Sequence, residues 1–219
     1  MNTRGLWRTG AGSVLAFWAS GCIATGQYKF LVPSAPGAAT EIRSNDYRVI
    51  PVWRSPDTVL LEPPNGPGLA VRACNREEIE GITLGPFLPV IPWPPSVVRA
   101  YNQTPSPPLI VAIDIGTASL TFDLSKVTLT TEAAERVLPI AFSASQNGEV
   151  CARAPEAPVP KQPVRITGPA VVELRFDLAE IPPAATLQIA GMDCGRGPVE
   201  LPPIALHRGS AWILYPLSS

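Results

Sequence analysis

The chain has 219 residues and a mass of 23.3 kDa, enough to bury a core without a metal or cofactor to hold it together. Hydrophobic residues make up 46% and charged residues 16%, which excludes a highly charged disordered chain, and 27 prolines with 17 glycines argue against long helices. A formal net charge of -1 provides no basic field for nucleic acid, and a single histidine, His207, starves most acid/base and metal chemistry.

Residues 1–21 read as a leader. Arg4 and Arg8 precede an apolar run from Ala11 to Ala19, small residues follow, and no acid interrupts the stretch. The run falls well short of the roughly 20 residues that span a bilayer, which favours a cleaved signal over a permanent membrane helix. Ala19-Ser20-Gly21-Cys22 resembles the lipobox of bacterial lipoproteins, with Ala19 where Leu is commoner. The resemblance implies that the Cys22 thiol receives diacylglycerol and that the new amino terminus is acylated. Because Ile23 follows in place of the Asp that retains such proteins in the inner membrane, it also implies sorting to the outer membrane. The competing reading is a plain secretory leader in which Cys22 is incidental. Several acyl chains, at about 0.8 kcal/mol per buried methylene, make attachment effectively permanent. Losing Arg4 and Arg8 with the leader leaves 15 basic against 18 acidic residues, a charge of -3, so attachment rests on the acyl chains and not on a polybasic patch.

Residues 22–46 contain Gly26, Pro33, Pro36, Gly37 and a Ser/Ala-rich stretch, and read mainly as a lipidated tether with one short apolar cluster at Tyr28 to Val32. A flexible chain of that length reaches roughly 25–30 Å. From Tyr47 the apolar residues recur with period two between Pro and Gly, the pattern of half-buried strands. Strands are expected at Tyr47–Trp53, Thr58–Leu61, Leu69–Ala73 and Ile79–Leu84, and again where Leu109, Val111, Ile113 and Ile115 share a face opposite Ala112 and Asp114. Leu120, Phe122 and Leu124 are the expected partner of that strand. The alternation then slips to Val127 and Leu129, which predicts a bulge or tight turn at Ser125–Lys126. Thr131–Val137 reads as a short helix. Val172, Leu174, Phe176 and Leu178 should face a core while Glu173, Arg175 and Asp177 face water. Thr186–Ala190 and Val199–Leu206 follow, joined by the glycine-rich stretch 191–197, and Ala211–Leu217 closes the chain. About ten short strands with proline pairs at their ends point to an all-β two-sheet sandwich over residues 47–219.

Within it, residues 85–108 hold eight prolines in 24 residues, and polyproline II is the expected conformation. Phe87, Leu88, Ile91 and Trp93 then either pack along the sandwich or form a ridge for a partner or the membrane surface. The strings GPFLPVIPWPP from Gly85, FDLSKVTL from Phe122, VELRFDL from Val172 and ELPPIAL from Glu200 resemble a group of small Gram-negative lipoproteins carrying an immunoglobulin-like sandwich. That resemblance implies the fold and carries no catalytic signature.

The remaining chemistry is sparse. His207 lies just past an expected strand and reads as a surface loop residue. Cys74, Cys151 and Cys194 lack zinc-site spacing; in an oxidising compartment they allow one disulfide, and Cys151–Cys194 is favoured because both lie in polar, turn-like segments, the alternative being free thiols. Asp114, Asp123, Glu173 and Asp177 are expected on wet faces. No catalytic set, metal site, cofactor or nucleic-acid partner is expected. The sequence thus reads as a non-enzymatic envelope lipoprotein, membrane-anchored through Cys22 at the outer membrane, facing the periplasm, and offering binding or assembly surface to another envelope protein. Alternatives are a lipid-anchored hydrolase using a carboxylate pair and a periplasmic carrier of an apolar ligand.

Overall fold

Proline and glycine cut the chain into pieces too short for stable helices, and the period-two pattern within the pieces needs a sheet to bury its apolar side. The computed structural model describes residues 23–43, 50–74, 77–84, 108–116, 119–146, 150–151 and 154–216. Among them the regular elements are eighteen strands and one 3-10 turn. In chain order the strands are β1 (Ile23–Ser34), β2 (Ala39–Glu41), β3 (Ile50–Arg54), β4 (Thr58–Leu61), β5 (Leu69–Ala73), β6 (Glu77–Leu84), β7 (Leu109–Ile115), β8 (Leu120–Phe122) and β9 (Thr128–Thr131). They continue with β10 (Arg136–Val137), β11 (Ala141–Ser145), β12 (Ala157–Pro158), β13 (Val164–Ile166), β14 (Ala170–Phe176), β15 (Ala184–Gln188), β16 (Met192–Asp193), β17 (Pro198–Val199) and β18 (Ile204–Pro216).

The fold is all-β and sandwich-like, built from antiparallel sheets. One runs β10-β9-β15-β18-β1-β6, with β3 also on β18; a second runs β12-β11-β14-β7-β5-β4-β2; a small third runs β13-β8-β16-β17. Val111, Ile113 and Ile115 of β7, Val172, Leu174 and Phe176 of β14, and Val71 of β5 present the inner face of the second sheet and are fully buried. They join Phe122, Leu129, Leu187 and Ile204 from the other two sheets in one core. Each such side chain contributes about 1.5–3 kcal/mol on leaving water.

The expected strands at Thr58–Leu61 and Leu69–Ala73 form over those residues, and the core faces of β7 and β14 are the expected ones. The slip at Ser125–Lys126 is the 3-10 turn Leu124–Lys126, which lets Leu124 and Val127 both point inward. Other expectations are corrected. β8 does not pair with β7, which lies between β14 and β5; β8 pairs with β13 and β16. Thr131–Val137 is the β9–β10 hairpin and not a helix: Ala134 takes φ 59°, Ala134 N–H donates to Thr131 O, and Thr131 N–H to Glu135 O. Pairing of β9 with β15 outweighs the weak helical propensity of that stretch. The stretch 191–197 carries its own hairpin, β16–β17, and Pro202-Pro203 divide the expected strand at Val199–Leu206, so that β18 begins at Ile204 and runs through to Pro216.

The largest correction concerns the tether. Most of its first half is β1, which pairs residue for residue with β18 from Ile23↔Pro216 to Ser34↔Ala205, while β6 pairs along its other side from Ala24 to Lys29. Leu31 enters the main core, and Phe30 and Val32 pack with Ala211 in a separate small cluster. With both faces buried near its end, the segment gains more from a sheet than from solvation. Gly26 and Pro33 mimic a linker composition without making one.

Candidate functional site

Strand register assembles a polar row on the outer face of the second sheet. Glu41, Thr58, Arg72, Ala112, Glu173 and Ser143 stand opposite one another across six neighbouring strands. At one end lies Asp57, nearly inaccessible to solvent. Its carboxylate accepts from the Arg43 backbone N–H at 2.9 Å, from an Arg54 guanidinium nitrogen at 2.8 Å and from Thr58 Oγ1 at 2.8 Å, while its own N–H donates to Glu41 O. A buried carboxylate is tolerable because it is paired and hydrogen-bonded. Arg54 also lies over the Phe30 ring, 5.6 Å from its centroid. Arg43 meets Glu41 and, at 3.1 Å, Asp114. Arg72 donates to Thr58 Oγ1 and its guanidinium titrates below its ordinary value, chiefly because burial penalises the cation; the Asp57 charge opposes that shift.

At the other end the row is covered. Glu173, expected to face water, is buried: it accepts from the Cys151 backbone N–H at 2.6 Å and from Ser143 Oγ at 3.2 Å. Arg175 donates to Pro155 O, so Cys151 and Pro155 are both held against the sheet. A disulfide completes this attachment, and it joins Cys74 to Cys151, with the Cα atoms 5.6 Å apart, in place of the expected Cys151–Cys194 pair. Cys74 directly follows β5 and its N–H donates to Ile110 O, so strand pairing carries the thiol to the face on which Glu173 holds Cys151. Cys194 is a free thiol in the β16–β17 hairpin, donating to Asn65 O at 2.7 Å. A polar, turn-like setting, which the two expected partners share, carries no information about proximity.

The other expected positions fall apart from one another. Asp114 lies on the same face as Glu173, but the two are engaged separately, by Arg43 and by the Cys151 amide. Asp123 caps the 3-10 turn, accepting from Ser125 N–H and, at 2.6 Å, from Ser125 Oγ. Its carboxyl titrates below the usual range, first because of the Ser125 hydroxyl hydrogen bond, with burial opposing and the Ser125 amide and Lys126 adding to it. Asp177 is exposed. His207 is exposed too, but on strand β18 between Val32 and Ala184 and not in a loop. Among the described residues no group of three or more His, Cys, Asp or Glu is placed to hold a metal, and no helix is long and apolar enough to cross a membrane. Cys22 and the ridge residues Phe87, Leu88, Ile91 and Trp93 lie outside the described residues.

A concavity lies elsewhere, at the rim. The turn from β1 to β2, the end of β4 with the prolines after it, and the connection from β17 to β18 enclose a cleft of about 470 Å³. Pro36, Leu60, Pro63, Pro64, Leu201 and Pro202 contribute its walls. Its prolines stiffen the walls, and the lining is mixed, with more polar than apolar surface exposed. Glu62 and Glu200 also line the cleft; both are exposed, and neither makes an ion pair with a described residue. In the sequence Glu62-Pro63-Pro64 and Glu200-Leu201-Pro202-Pro203 each place an acid shortly before a proline pair, which is expected only to end a strand. Read singly, each pair marks only a strand end; the fold brings the two together.

No protein-family model, curated protein or solved structure matches the chain.

Proposed function

We propose that this chain is a non-enzymatic envelope lipoprotein, anchored at the outer membrane through acylated Cys22, whose rigid β domain docks a segment of another envelope protein in the rim cleft. The observation that carries the binding half of this reading is the pairing of proline-stiffened walls with two exposed carboxylates that make no ion pair with a described residue. Such a cleft suits an extended segment carrying one or two Lys or Arg side chains: its smaller apolar groups pack against the proline and leucine side chains, and the basic groups pair with the two carboxylates. The anchor half rests on the lipobox-like Ala19-Ser20-Gly21-Cys22 and on a mature charge that gives no electrostatic attachment.

Two measurements test the two halves separately. The mature native chain should carry the mass of its acyl groups and float with membranes, and Cys22→Ser should abolish both; an unmodified chain in the soluble fraction removes the anchor. For the cleft, short Pro/Leu/Ala peptides containing Arg should bind the mature domain better than the same peptides containing Glu, and Glu62→Arg with Glu200→Arg should invert that order. Equal binding of both peptides, or an order unmoved by the charge reversal, refutes docking there.

A further inference from the structure

The proposed anchor and the proposed docking cleft sit at opposite ends of one pair of strands. β1 begins at Ile23, the residue after Cys22, and its first half is interior to the sheet, with β18 on one side and β6 on the other over Ala24–Lys29. β18 is itself flanked by β3 over Ala211–Leu214. Four adjacent strands, β6-β1-β18-β3, therefore surround the chain where it would leave the membrane. At the far end the β1–β18 ladder stops at Ser34↔Ala205. Pro36 to Ala39 follow directly after β1 and Glu200 to Pro202 stand just before β18, and both line the cleft.

The eleven steps from Ile23 to Ser34, at about 3.3 Å each, span about 36 Å. A Gly/Ser chain of the same number of residues would have a root-mean-square reach of only about 20 Å and no fixed direction. The ladder has both length and direction, because bending it requires breaking backbone hydrogen bonds to β18 along its whole length and, over Ala24–Lys29, to β6 as well. Charge also acts against the domain lying flat: the mature chain carries -3, and two of its acidic residues, Glu62 and Glu200, stand at the cleft end, so anionic headgroups repel it.

Resting on the anchor reading above, we infer that the β1–β18 ladder is a strut and not a tether: with Cys22 acylated, it stands the domain upright on the bilayer and holds the rim cleft about 36 Å from the surface. The partner segment then has to reach that height, which selects a component protruding from or suspended near the membrane over one lying in its headgroups.

The test uses the lipidated full-length mature chain and its one free thiol. Cys194 donates to Asn65 O beside the cleft wall, Cys74 and Cys151 are joined, and acylation blocks Cys22, so a maleimide fluorophore marks the cleft end alone. The labelled protein is reconstituted into vesicles of phosphatidylethanolamine and phosphatidylglycerol containing a headgroup acceptor, and flotation is scored first. Time-resolved energy transfer should return one narrow standoff of about 36 Å. Inserting a 20-residue Gly/Ser spacer between Cys22 and Ile23 should broaden it into a distribution, as expected for a linker with a reach of roughly 25 Å. A native chain as broad as the spacer variant, or one whose label sits at the headgroups, overturns the strut while flotation leaves the anchor intact. Failure to float removes the anchor and the strut together.

Discussion

Opening the Cys74–Cys151 disulfide releases a loop closed across a sequence separation of 77 residues. In the chain-entropy treatment that loop length corresponds to about 4.5 kcal/mol at 25 °C, nearly all of it lost through the larger freedom of the unfolded chain. The folded-state contacts around the bridge survive, because the Glu173 carboxylate accepts from the Cys151 backbone amide and Arg175 bonds the Pro155 carbonyl, neither of which involves sulfur. With a urea m-value of about 2–3 kcal/mol/M, the unfolding midpoint of Cys74→Ala/Cys151→Ala should fall by roughly 1.5–2.3 M, and the m-value should rise as the unfolded ensemble expands. Cys194→Ser removes only a thiol donor to Asn65 O and should leave the midpoint near that of the parent. Urea unfolding of the three proteins followed by circular dichroism measures this, and peptide mapping without reductant should recover Cys74 and Cys151 in one cross-linked fragment. A midpoint shift under about 0.5 M would falsify the loop-entropy argument, and finding Cys194 in the cross-linked fragment would refute the pairing itself.

Asp57→Ala should destabilise by about 3 kcal/mol, because it removes the buried carboxylate that accepts from the Arg54 guanidinium, the Arg43 backbone N–H and the Thr58 hydroxyl together; an effect below about 1 kcal/mol in the same urea assay would show that the cluster is well solvated. Gly191→Ala should cost about 2 kcal/mol or more, since φ is +82° and a Cβ there would stand 2.9 Å from both the backbone oxygen and the Cβ of Asp123; a thermal melt unchanged from the parent contradicts that geometry. Asp123→Ala should cost about 1 kcal/mol at neutral pH by removing the cap of the 3-10 turn. The sign of its pH dependence follows from the lowered carboxyl: the unfolded chain binds the proton more readily, so the stabilisation is fully present above the unfolded value of about 3.9 and is lost as pH falls through the lower folded value. Parent and variant should therefore converge in stability below that window, and a difference that persists undiminished at the acid end would refute the assignment.

How far the sequence alone reached depends on which interactions each feature needed. Alternation along Val172, Leu174 and Phe176 and along Leu109, Val111, Ile113 and Ile115 determined which side of β14 and β7 would be buried, because neighbouring residues on a strand necessarily face opposite ways. The turn at Ser125–Lys126 was legible for the same reason, as a phase slip in that alternation. Strand neighbours were not legible, and everything at the candidate site depends on them. Glu173 carries the pattern of an outward-facing residue and does face outward, yet a disulfide-held segment covers it; Cys74 pairs with Cys151 only because β5, β7 and β14 lie side by side. Residues 23–34 look like a linker in composition and become a strand because β18, some 180 positions later, offers a matched partner along their full length. The cleft collects three proline-flanked connections that are far apart in the chain, and it exists only once the ends of β1, β4 and β18 come together. Local periodicity determined the faces of the strands, whereas pairing between distant strands, a property of the whole sheet's hydrogen bonding and burial, decided which residues share a surface.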